Sequence, residues 1–189
     1  MNYIKKIGFI IYYLLFTKKY NFLHFKSGVY FSVKVQGKKF ISIHKGAMIQ
    51  RYGWLLALKI DENNPILTIG ERCAIGDSCH ITSVRKVIIE DDVLIANRVY
   101  ISDNVHQFED INIPIIKQNV LYKGDVIIKN GAWIGENVCI IGAKIGKNSV
   151  IGANSVVTKD IPDYSIAVGI PAKVVKKYDF KQEKWISTI

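Results

Sequence analysis

The chain has 189 residues, 49% of them hydrophobic, and only four prolines, which admits one ordered domain with a short appendage and excludes a long disordered tract. Its formal charge of +10 is unevenly placed: Lys5, Lys6, Lys18, Lys19, Lys26, Lys34, Lys38, Lys39, Lys45, Arg51 and Lys59 all precede the first acidic residue, Asp61. Such an asymmetry points to an anionic partner at the N-terminal end, whether lipid headgroups, nucleic acid or a phosphorylated substrate.

In residues 1 to 20, the apolar run from Ile7 to Phe16 stands between Lys5-Lys6 and Lys18-Lys19. Ten helical residues span about 15 Å, half of a bilayer core, so a membrane-crossing helix is not expected. The lysine-led start resembles a signal peptide. Thr17, Lys18 and Lys19 offer no small-residue cleavage site, so the segment is expected to stay on the protein. Two placements follow: a helix in a membrane interface with Tyr12, Tyr13, Phe16 and Tyr20 at headgroup level, or a helix docked on the fold or between subunits. Residues 21 to 65 are less regular. Ile43, Ile49 and Leu55 share a six-residue step, which predicts a degenerate capping coil closed by the loop Asp61 to Pro65.

From residue 66 the six-residue step becomes strict. Ile69, Ile75 and Ile81 are followed by Ile89, Ile95 and Ile101, and later Ile128, Ile134 and Ile140 by Ile145, Ile151 and Val157. A helix needs apolar residues every three to four positions and a lone strand every two. A period of six fits neither, and predicts a solenoid over 66–161 in which each hexapeptide forms one face of a triangular coil, with about eighteen residues per turn and a rise of about 4.8 Å. Asn137, Asn148 and Asn154 fall where the chain must turn a corner in a left-handed conformation. Residues 103 to 125 fit no hexapeptide register, and a long excursion from a solenoid points to function. Residues 162 to 189 read as an extended segment with a short basic end open to a helical reading. Cys73, Cys79 and Cys139 form no CxxC pair and sit where the coil wants small side chains, so buried free thiols are expected, without disulfide or structural zinc. The four histidines, His24, His44, His80 and His106, lie far apart, so the three-histidine zinc site of a solenoid carbonic anhydrase cannot be drawn.

The run GAWIGENVCIIGAKIGKNSVIGANSVVTKDIPDYSIAVGIPAKVVKK, Gly131 to Lys177, closely resembles the C-terminal half of hexapeptide-repeat acyltransferases of the galactoside, maltose and xenobiotic acetyltransferase group. The segment from Val87 to His106 resembles the part of that family ending in its catalytic histidine. The spacing of Asp103 and His106 is closest to the branch that O-acetylates bacterial polysaccharides. The resemblance spans roughly residues 66 to 178. It implies an all-β, left-handed parallel β-helix, with an N-terminal helix and a short C-terminal extension added by this chain. It also implies an acetyl-CoA donor without metal, a homotrimer, and a saccharide acceptor, free or lipid-linked, in surface polysaccharide synthesis; no nucleic acid is expected, since no recognition motif accompanies the lysines. A cytoplasmic location, peripheral at the inner membrane face, goes with that reading. An N-acyltransferase of a nucleotide-linked amino sugar, or a non-catalytic binding solenoid, is the alternative.

Residue by residue, the resemblance makes His106 the general base. A neutral imidazole suits removal of a hydroxyl proton and contributes about 10² to 10⁴ in rate. Asp103 either fixes the tautomer of that ring or caps its own turn; Glu109 and Asp110 are weaker candidates for the same task. On the donor side the resemblance assigns Trp133 beside the thioester, Ala153 by its backbone to the pantetheine, Thr158 and Lys159 along the arm, and Lys173 and Lys176 to the phosphates, as point charges. For the acceptor it offers Asp77, Ser78, His80 and Asn97. His80 also reads as a half-buried coil residue and Asn97 as a corner residue.

Overall fold

The computed structural model describes residues 3 to 188, so Met1 and Asn2 of the N-terminal segment and Ile189 of the C-terminal extension lie outside the described residues. Strands of two to five residues stack into three parallel sheets, the faces of a prism. Face A runs through Phe22–Leu23, Ile41–Ile43, Ile66–Ile69, Lys86–Ile89 and Val126–Ile128. Face B runs through Gly28–Val29, Met48–Ile49, Ala74–Ile75, Leu94–Ile95, Trp133–Ile134, Val150–Ile151 and Ser165–Gly169. Face C runs through Lys34–Gln36, Trp54–Ala57, His80–Ser83, Tyr100–Ser102, Cys139–Ile141 and Val156–Val157. The architecture is the left-handed parallel β-helix.

The six-residue step is the inward residue of each face. Ile43, Ile69, Ile89 and Ile128 stand in one register on face A, Ile49, Ile75, Ile95 and Ile134 on face B, and Leu55, Ile81, Ile101 and Ile140 on face C. All are buried, and each contributes about 1.5 to 3 kcal/mol on leaving water. Asn137, Asn148 and Asn154 turn corners at φ of 57°, 49° and 60°, as expected. Tyr52, Arg72, Ser78, Asp92 and Arg98 also adopt positive φ. These side chains tolerate the conformation where the coil below supplies hydrogen bonds, as from Arg72 Nε to Asp92 (2.6 Å) and from Arg98 Nε to Asn137 (2.8 Å).

Three expectations change. Residues 21–65 are not a degenerate cap: Leu23, Val29 and Val35 pair in register with Ile43, Ile49 and Leu55, so two regular coils precede residue 66. Leucine and valine there fill the inward position that isoleucine fills later. The C-terminal end is not helical. Ala172–Asp179 and Lys184–Ser187 extend face B as antiparallel strands, since Val174 packs on the core while Lys173 and Lys176 alternate outward. For the N-terminal helix α1, Tyr3–Phe16, the headgroup-level placement of the rings gives way to the docked alternative, with Phe9, Tyr12, Tyr13 and Phe16 packed on the first coils. Phe9 packs edge-on against Tyr30, Tyr12 against Phe31, and the Tyr12 and Tyr20 hydroxyls share a 2.7 Å hydrogen bond. Burial pushes the Tyr12 and Tyr20 hydroxyls above the ordinary tyrosine range, so that bond is between neutral phenols.

Candidate active site

The excursion leaves the prism at the edge between faces C and A, after Tyr100–Ser102. Asn104–His106 pairs antiparallel with Val120–Tyr122, with His106 opposite Val120, so the excursion is a hairpin whose first strand ends on His106. The His106 ring is exposed and makes no hydrogen bond or ion pair among the described residues. Its strand is held by the Asn104 side chain on Thr82 and Asp103, and the returning strand by the Lys123 amide on the Asp103 carbonyl (2.7 Å).

Asp103 is not brought to the His106 ring. It is wholly buried, and its carboxylate accepts hydrogen bonds from the backbone amides of Val84 (2.8 Å), Arg85 (2.7 Å) and Lys86 (2.7 Å), the Ser83 hydroxyl (3.2 Å) and Asn104 Nδ2 (2.9 Å). A buried carboxylate needs such a set of donors to offset its lost hydration. Asp103 therefore clamps the root of the hairpin to the corner of the coil below. Glu109 accepts the Phe108 amide and Asp110 the Asn112 amide, so both carboxylates close turns in the hairpin tip.

Of the donor-side candidates, Trp133, Lys173 and Lys176 stand on face B. Trp133 is half exposed, and its register row runs through Val150 and Ile166 to Lys176. Three strand spacings separate Trp133 from Lys176, about 14 Å along the prism. Lys173 lies on the same strand as Lys176, both are exposed, and neither is in an ion pair among the described residues. Ala153 lies at the adjoining corner between faces B and C. Thr158 and Lys159 instead follow face C, on the edge from which the His106 hairpin departs two coils earlier. Within one chain, then, the candidates divide between an edge carrying His106, Thr158 and Lys159 and a face carrying Trp133, Lys173 and Lys176.

The acceptor-side candidates divide as well. Asp77, Ser78 and Asn97 form a corner ladder: Asp77 Oδ1 accepts the Arg51 amide (2.7 Å), Asn97 Oδ1 accepts the Asp77 amide (2.9 Å), and Ser78 turns at φ 59°. Their first role is structural. His80 points outward on face C, between Trp54, stacked at 4.4 Å, and Tyr100, edge-on at 5.2 Å. Burial, and then the Lys34 charge, hold its imidazole below the ordinary histidine range. Its Nε2 is buried without a hydrogen-bond partner among the described residues. Trp54 and Tyr100 were not singled out from the sequence, although each directly precedes an inward residue, Leu55 and Ile101, and so shares the outward row of His80. Among the described residues no group of His, Cys, Asp or Glu is arranged to hold a metal ion.

Comparison with known proteins agrees with this geometry. A sequence profile described as the hexapeptide repeat of succinyl-transferase matches residues 66–103 and 125–159, and its gap coincides with the hairpin. Two stretches of the chain thus carry that hexapeptide repeat. Among relatives of this hexapeptide-repeat protein, a putative lipopolysaccharide biosynthesis O-acetyl transferase, WbbJ, of Escherichia coli (strain K12) is 35% identical over 127 residues, covering 64% of this chain and 65% of that protein. Galactoside O-acetyltransferase of the same strain is 40% identical over 111 residues, covering 54% and 53%. The chain thus spans less than two thirds of these relatives. The solved N-acyltransferase AntD from Bacillus cereus, in complex with dTDP and 3-hydroxybutyryl-CoA, superposes with a TM-score of 0.72 at 22% identity, covering 95% of this chain and 88% of that one. At that identity the likeness is one of fold.

Proposed function

We propose that this hexapeptide-repeat protein transfers an acetyl group from acetyl-CoA to a saccharide hydroxyl in the synthesis of a surface polysaccharide. The observation that carries the reading is the free, exposed His106 ring at the end of a clamped strand, flanked on both sides by the family repeat. A ring nitrogen of His106 takes the proton of the acceptor hydroxyl as its oxygen attacks the thioester carbonyl carbon. The carbon–sulfur bond breaks, and the imidazolium returns the proton to the departing thiolate. On the donor side, Trp133 offers an apolar surface beside the thioester and Ala153 its backbone to the pantetheine. Thr158 and Lys159 follow the arm, and Lys173 and Lys176 supply unpaired positive charge for its phosphates. His80 and the corner residues Asp77, Ser78 and Asn97 stand on the acceptor side. The names of the two relatives, a putative lipopolysaccharide biosynthesis O-acetyl transferase and a galactoside O-acetyltransferase, support the hydroxyl acceptor.

We further propose a homotrimer with the cleft between neighbouring prisms. The split of the candidates between one edge and one face of a single chain supports this, because only a second copy can set the His106 edge against the Trp133 face. Ile111 and Ile116 in the hairpin tip, 93% and 90% exposed, are apolar groups that a neighbour would cover. The test is transfer of labelled acetyl from acetyl-CoA to oligosaccharides carrying hydroxyl or amino acceptors. The parent chain is expected to label hydroxyls, and His106→Ala to lose about 10² to 10⁴ in kcat/KM with an unchanged melting temperature. Labelling of amines alone would overturn the hydroxyl acceptor, and loss below tenfold would overturn the base. Light scattering is expected to give three times 21.4 kDa; a stable monomer would refute the trimer.

A further inference from the structure

Helix α1 carries two apolar stripes on opposite sides, and the fold uses only one. Phe9, Tyr12, Tyr13 and Phe16 repeat at i, i+3, i+4 and i+7 and pack on the first two coils. Ile7, Ile10, Ile11, Leu14 and Leu15 repeat at i, i+3, i+4, i+7 and i+8. At about 100° per residue, the centres of the two stripes lie roughly 180° apart. All five aliphatic residues of the second stripe are exposed, Leu14 at 69%. One such residue on a surface is ordinary; five on one helical face need a partner. The rim of this stripe is positive at both ends, with Lys5 and Lys6 before it and Lys18 and Lys19 after it, and no acidic residue precedes Asp61.

We propose that this outer stripe docks the protein on an anionic lipid surface, with α1 lying in the plane of the interface and its inner stripe fastened to the solenoid. Charge decides between a bilayer and a second copy of the helix. Pairing two such stripes would bring the lysine rims together with no carboxylate in the N-terminal sixty residues to neutralise them, whereas anionic headgroups neutralise them directly. The helix is too short to cross: its 14 residues span about 21 Å, against a hydrocarbon core of about 30 Å. Among the described residues no helix is long and apolar enough to do so. The inward burial of Phe9 and Tyr12 therefore means that the protein lies on the surface without threading it.

The experiment is co-sedimentation of the full chain with vesicles of phosphatidylcholine alone and of phosphatidylcholine with about a third phosphatidylglycerol, at low and high salt. The parent chain is expected to pellet with the anionic vesicles, at least tenfold more weakly at high salt and with neutral vesicles. Ile10→Ser/Leu14→Ser alters only exposed positions, so its circular dichroism and melting temperature should match the parent while anionic-vesicle binding falls at least tenfold. Binding unchanged in that variant, or equal on both vesicle types, or absent in the parent chain, would overturn the proposal. So would a lower oligomeric mass for the variant in the absence of lipid, because the stripe would then be a contact between copies.

Discussion

Replacing Asp103 separates a structural clamp from a catalytic partner. In Asp103→Ala the amides of Val84, Arg85 and Lys86 lose their acceptor, and an unpaired buried donor costs about 1 to 3 kcal/mol. Val84 is wholly buried, whereas Arg85 and Lys86 are half-buried and regain some hydration from water, so the sum falls at about 3 to 5 kcal/mol. Asp103→Asn keeps one oxygen but sets an amide donor against the Arg85 and Lys86 amides, and should cost about 2 to 4 kcal/mol. Urea unfolding followed by circular dichroism measures both, and hydrogen exchange should show lost protection at residues 84 to 86. In the fraction that remains folded, the pH–rate profile should keep the parent's apparent pKa, because Asp103 does not touch the His106 ring. A loss of stability below about 1 kcal/mol, together with a hundredfold fall in kcat and a displaced pH profile, would refute the clamp and make Asp103 the orienting partner of His106.

Other expectations rest on single observations. Ile101→Ala removes a fully buried side chain stacked between Ile81 and Ile140, and should lower stability by about 2 to 5 kcal/mol in urea titration. Burial pushes the Cys73 and Cys79 thiols up to about 11, so at pH 8 a thiol reagent should modify the half-buried Cys139 first and reach all three only in urea. The His80 imidazole is held below its ordinary value, 6.5, so below that pH the unfolded chain binds a proton that the folded chain does not. Stability at His80 is therefore full above pH 6.5 and declines as pH falls toward the depressed folded value. His80→Gln should flatten the decline in urea midpoint between pH 7 and pH 5.

The prism was legible because its signal is one-dimensional. Each inward isoleucine needs only the coils above and below it, so the period writes the register directly into the chain. The same rhythm runs through Leu23, Val29, Val35, Ile43, Ile49 and Leu55, four steps of six and one of eight, as from Ile69 to Ile101; a reading tied to isoleucine misses the first coil. His106 was singled out by its motif position in the resemblance, inside the excursion and outside the period. The clamping role of Asp103 was not legible, because its partners lie about twenty positions away across a coil boundary. The outward row of Trp54, His80 and Tyr100 follows from register once the inward row is known, but its stacking follows from packing.

These placements carry a consequence for how a solenoid acquires chemistry. A stack of near-identical coils exposes backbone edges and rows of side chains that repeat, and a repeating surface singles out no one point for a reaction. Beside the loop Asp61 to Pro65, the described residues depart from the repeat at α1 on the first coils, at the hairpin between the Tyr100–Ser102 and Val126–Ile128 strands, and at the antiparallel strands after Gly169. The first departure holds the outer apolar stripe, the second holds His106, and the third holds Lys173 and Lys176. Each is fastened to the stack by buried groups, Phe9 and Tyr12 in the first, Asp103 in the second, and Val174 against the core in the third. The regular coils set the spacing between these departures in steps of about 4.8 Å. Deleting one whole coil between Lys86 and Ser102 while keeping the corner register should thus shift the spacing between the hairpin and α1 by one such step.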